Sequence, residues 1–140
     1  MISEIEVGDK TYPVACNAFT PIVFSREFSV KRADGSARPK DINEDVSMIL
    51  EVQAASSMPP VVPLLEVFYA CAKTADAKID PFEKWVKSFP ADAYDLERAD
   101  GWASDVMQIV ADNFFPNAKA NMEAATAEAS DAAHAAGVEK

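Results

Sequence analysis

Between Val61 and Ala75 (VVPLLEVFYACAKTA) the chain is apolar on most faces of a helix. Leu64, Val67, Phe68, Cys71 and Ala72 recur at helical spacing, and Glu66 and Lys73 carry the only charges. A helix this apolar must be covered on several sides, so it belongs at the centre of a fold with other elements packed around it. The stretch falls short of the ~20 residues a membrane-spanning helix needs, and its two charges argue further against a span. The sequence therefore predicts a core helix in a water-soluble domain.

The flanking segments read as its cover. Residues 2–15 predict a β-hairpin: Ile2, Ile5, Val7, Tyr12 and Val14 are strand formers, and Gly8-Asp9 supplies the turn. Pro13 cannot donate to a ladder, which makes the second strand an edge or ends its pairing early. Two strands alone are marginal in water, so the hairpin must lie on helices. Thr20-Pro21 reads as an N-cap followed by proline at the first helical position, opening a helix with Phe24 and Phe28 on one face.

Lys31 to Lys40 reads as a polar loop. Asp41-x-x-Glu44 then forms an acidic capping box before a stripe of Ile42, Val46, Ile49, Leu50 and Ala54. The run SSMPP, residues 56–60, breaks that helix. Asp80-Pro81-x-Glu83 opens a short helix with Phe82, Trp85, Val86 and Phe89 on one face, and Pro90 ends it. A last helix is expected from about Asp92 to Phe115, with Leu96, Ala99, Trp102, Ala103, Val106, Ile109, Val110 and Phe114 available to face inward and Gly101 a weak point in its middle. The expected fold is mainly α (α+β), about five helices with an N-terminal β-hairpin, over residues 1–116. Residues 117–140 form an alanine-rich tail with little to bury, expected to be flexible or conditionally helical.

Composition excludes several functions. The chain carries 23 acidic and 13 basic residues, a formal net charge of −10. That sign opposes general binding to nucleic acid or anionic membranes. The single histidine, His134, lies in the tail, which removes His-dependent triads, Cys–His dyads and most zinc sites. The isolated glycines form no phosphate loop or dinucleotide fingerprint. Asp76 and Asp80 hint at a calcium loop, but Lys78 and Pro81 stand where an oxygen ligand and a glycine are required. Cys16 and Cys71 sit in apolar surroundings and read as reduced, buried thiols. The N-terminus has no basic segment followed by an apolar core, as a signal peptide would. No catalytic residue, metal site or cofactor is expected.

Two groups remain as candidate partner-binding residues. Lys31, Arg32, Arg38 and Lys40 concentrate positive charge on an acidic protein, which would steer an acidic partner. Phe82, Trp85 and Phe89 form an aromatic face that either packs in the core or offers its rim to a guest helix.

The order of these features resembles a known family. A hairpin of the form I-x-V-G-D-K-x-Y-P-V precedes FTPIVFSREF, a polar loop, the apolar VVPLLEVFYACAK and the short FEKWVKSF. The layout over roughly residues 2–115 is similar to the tail assembly chaperones of long-tailed bacteriophages and prophages. That resemblance implies a non-enzymatic helper of viral morphogenesis, made in the host bacterial cytoplasm and absent from the mature virion. It implies binding to the tape measure protein and recruitment of tail tube protein, with self-association as a further expectation. The alternative is a small acidic helical adaptor or regulator that binds or inhibits a basic partner. Such a charge mimic should gather its acids on one face, whereas here they interleave with Lys and Arg along most helices.

Overall fold

Every residue from Pro63 to Ala72 is buried, so the central position expected for this helix is the one it occupies. The computed structural model describes residues 2–55, 60–94 and 101–114. In chain order these contain β1 (Glu4–Val7), β2 (Lys10–Pro13), α1 (Thr20–Glu27), β3 (Ser29–Lys31), β4 (Ala37–Pro39), α2 (Ile42–Ala54), α3 (Val61–Ala75) and α4 (Phe82–Lys87). A 3₁₀ turn at Ala91–Tyr94 and α5 (Trp102–Asn113) follow. The fold is mainly helical, with five α-helices and an N-terminal antiparallel hairpin among the described residues. Helices α1, α2 and α5 and strand β2 all pack on α3, and β1 packs on α5.

The N-terminal hairpin pairs Ile5 with Tyr12 and Val7 with Lys10, and Gly8 turns the corner at φ 65°. Ile5 and Val7 point into the core, whereas the alternate residues Glu4 and Glu6 face water, as a half-buried strand requires. Tyr12 reaches across to Phe68, Trp85 and Phe89. The buried Ile5 and Val7 each contribute about 1.5–3 kcal/mol over leaving them exposed.

The capping box at the start of α2 forms as expected. The Asp41 carboxylate accepts from Asn43 N–H at 2.8 Å, and the Glu44 carboxylate accepts from Asp41 N–H at 2.9 Å. Ile42, Val46 and Ile49 are buried behind it, but Leu50 is only half-buried and Ala54 is exposed.

Four expectations need correction. The polar stretch 31–40 is not a loop throughout: β3 and β4 make a second small hairpin, with Gly35 at φ 90° in its turn. Arg32 N–H donates to Ser36 O at 2.6 Å, and Lys40 N–H to Phe28 O at 2.9 Å, closing both ends of the unit. Thr20 is the first helical residue of α1 and not its cap; its hydroxyl is buried and meets the Thr74 hydroxyl at 3.1 Å. Phe19 holds the cap position instead. Likewise α4 begins one residue late, with Pro81 at the cap, because the Asp80 carbonyl is taken by the Tyr69 hydroxyl at 2.7 Å.

The last helix does not run through Gly101. Residues 91–94 form the 3₁₀ turn, and Gly101 is extended (φ −84°, ψ 175°) as the cap of α5. The Trp102 indole N–H donates to Ala93 O at 2.6 Å, fastening the two pieces together in the core. Leu96 and Ala99, expected on its inner face, lie outside the described residues, as do the tail 117–140 and most of the 56–60 break.

Candidate interaction surface

Of the four basic residues singled out from the sequence, two are committed within the molecule. Arg38 makes a fork with Glu44, Nη2 to Oε1 at 2.7 Å and Nη1 to Oε2 at 3.1 Å. The guanidinium, together with the Asp41 N–H, holds the Glu44 carboxyl down at about 2. Lys40 extends from the end of β4 over the start of α2, where its ammonium bridges Asp45 at 2.7 Å and Glu66 at 2.9 Å. Burial works against the Lys40 charge, but its bonds to Asp45 and Glu66 outweigh that and raise its pKa above the ordinary lysine value.

Asp45 is the buried member of this group, 1% exposed. Burial first, and then the neighbouring Glu66 carboxyl, push its pKa up to about 7 against the opposing pull of Lys40. Its Oδ2 atom is buried with no hydrogen-bond partner. Ionised, that oxygen carries charge away from water with nothing to satisfy it, so burial favours the protonated carboxyl. The cluster ties the second hairpin to α2 and α3. It is an internal ion group, not a steering patch. Lys31 and Arg32 alone remain exposed and make no ion pair among the described residues.

The aromatic face is also internal. Trp85 is 2% and Phe89 9% exposed, with ring centroids 4.7 Å apart, and Phe68 stands 4.9 Å from Trp85. Phe82 is half-buried against Phe28 at 4.9 Å and Tyr69 at 5.3 Å. Trp85 and Phe89 therefore close the core around α3, and Phe82 alone of the three keeps part of its ring at the surface.

The apolar surface that does face outward lies elsewhere. Phe19, Ile22, Met48 and Val62 are 46–58% exposed. Phe19 and Ile22 lie one turn apart at the start of α1, and the Arg26 guanidinium sits 5.5 Å over the Phe19 ring. Met48 is on α2 and Val62 opens α3, so the three helices that pack together each carry an outward apolar side chain. The signal was present in the sequence. Thr20, Phe24 and Phe28 fall on one side of a helix, and Phe19, Ile22 and Arg26 on the other.

A shallow cleft of about 330 Å³ lies between β2 and the α3–α4 link, lined among others by Lys10, Tyr12, Asp76, Lys78 and Asp80. Its charges are mixed, and Asp76 is occupied in a turn, accepting from Lys78 N–H at 3.0 Å. No group of three His, Cys, Asp or Glu side chains that could hold a metal ion occurs among the described residues. No helix among them is long and apolar enough to cross a membrane. Set against family models, curated proteins and solved structures, the chain returns no match to any of them.

Proposed function

We propose that the chain is a non-enzymatic tail assembly chaperone of a long-tailed bacteriophage or prophage. In this reading it binds the tape measure protein and recruits tail tube subunits in the host bacterial cytoplasm, and it is left out of the finished particle. The supporting observation is the set of outward apolar side chains Phe19, Ile22, Met48 and Val62 on a chain of net charge −10. A tape measure protein is a long helical chain whose apolar stripes associate if left bare. Outward apolar groups give such a stripe a place to bind, and the shared negative charge keeps successive bound copies apart. The order of hairpin, phenylalanine helix, apolar helix and F-x-x-W-V segment supports the same reading.

Co-expression of the full chain with a fragment of the tape measure protein from the same genome tests it. The expected result is a soluble, co-purifying complex in which the fragment stays in the supernatant. A fragment that precipitates to the same extent with and without the chain rejects the proposal.

A further inference from the structure

The fold brings the two cysteines together although they are far apart in the sequence. Cys16 lies in the link between β2 and α1, and Cys71 lies in the second half of α3. The Ala15 N–H donates to the Cys71 carbonyl at 3.0 Å, which pins the link onto α3 beside Cys71. On the far side of Cys16, the buried Thr20 hydroxyl meets Thr74, one turn further along α3, at 3.1 Å. Held at both ends in this way, Cys16 lies alongside Cys71, and the two thiols are close enough to shift each other's pKa. Cys16 is half-exposed, whereas Cys71 is 1% exposed.

We propose that Cys16 and Cys71 are a modification site, a dithiol that a peroxide closes to an intramolecular disulfide. The pair has a built-in order of reaction. The neighbouring Cys71 thiol favours the Cys16 thiolate and lowers its pKa, with the Thr20 hydroxyl adding to the effect; the Cys16 thiol and burial raise Cys71. An accessible sulfur with thiolate character is the one that reacts with oxidants. The Cys16 sulfur attacks one peroxide oxygen, the O–O bond breaks, and the departing hydroxide takes up the thiol proton as water. Cys16 is then a sulfenic acid. The Cys71 sulfur attacks the Cys16 sulfur, the S–O bond breaks, and the second hydroxide leaves with the Cys71 proton as water. Two thiols and one hydrogen peroxide thus give one disulfide and two waters. The inference does not depend on the chaperone reading.

The test uses the full chain, reduced, freed of reductant and treated with one equivalent of hydrogen peroxide at neutral pH. Mass spectrometry should show a monomer lighter by two hydrogen atoms, with loss of both titratable thiols, a Cys16–Cys71 linked peptide and reversal by dithiothreitol. Cys71→Ala, a small apolar replacement in the core, should leave a sulfenic acid on Cys16 that dimedone traps. Cys16→Ser should leave Cys71 unoxidised. Oxygen adducts on wild-type Cys16 with Cys71 still a free thiol, or disulfides only between chains, would overturn the proposal. The wild-type peptide map decides the question even where a variant fails to fold.

Discussion

Gly8 and Pro90 are in contact across the fold: a Cβ placed on Gly8 would come within 2.8 Å of Pro90 Cγ. The residue that turns the first hairpin is thus also the seat for the proline that ends α4. Gly8→Ala meets both problems at once, a positive φ that side chains resist and a collision with a rigid ring. The expected loss is about 1–3 kcal/mol in urea unfolding. Asp9→Ala, next to it in the turn, should cost about 0.5 kcal/mol or less.

Trp102→Phe keeps most of the ring but removes the donor that serves the Ala93 carbonyl. A buried acceptor left without its partner costs about 1–3 kcal/mol, so the variant should fold with stability reduced by that amount. Unchanged stability in a denaturant titration would show that Ala93 finds another partner.

Asp45 and Glu44 act on stability in opposite senses with pH. The Glu44 pKa is depressed to about 2, so its contribution is present above the unfolded value near 4.5 and is lost as pH falls toward 2. The Asp45 pKa is raised to about 7 from 3.8, so the unfolded chain loses this proton first. Stability from Asp45 is therefore full below 3.8 and declines as pH rises from there to about 7. Asp45→Asn mimics the protonated carboxyl and leaves Lys40 paired with Glu66. The difference in stability between variant and wild type should move in the variant's favour from pH 4 to 7 and then level off. A flat difference across that interval would show that Asp45 does not titrate there.

The exposed residues separate binding from folding. Phe19→Ser and Ile22→Ser together remove outward apolar surface on α1, and the pair should change stability by no more than about 1 kcal/mol. If the chaperone reading holds, binding to the tape measure fragment should weaken by about tenfold or more. Reversing Lys31 and Arg32 to Glu should slow association at low salt alone, because these two cations make no ion pair among the described residues, whereas Arg38→Glu should also disturb the start of α2.

How far the fold could be read from the sequence depended on how local its causes are. The bounds of α3 follow from an apolar run ended by polar residues, and the capping box of α2 from two residues three apart; both are where the residues alone put them. The second hairpin was hidden because Lys31, Ala37 and Pro39 show no strand pattern. It is held by distant groups: the Ser25 hydroxyl donates to the Lys40 carbonyl at 2.8 Å, and Lys40 reaches Glu66 on α3. The same ion pairs removed Arg38 and Lys40 from the expected charge patch, and no local spacing shows a bond to Glu66. The split of the last helix was hidden for a similar reason: the helical period continues across Gly101, while the bond that fastens Trp102 to Ala93 spans it. The meeting of Cys16 with Cys71 is likewise a product of tertiary packing alone.

Both tryptophans of the chain stand around Phe68, Trp85 at 4.9 Å and Trp102 at 5.7 Å, and both are buried, whereas Phe19 and Ile22 face outward. Intrinsic fluorescence of this molecule is consequently a gauge of whether hairpin, α4 and α5 are seated together. A guest lying along Phe19 and Ile22 would meet neither buried indole directly, so its titration calls for a label on the guest or for calorimetry.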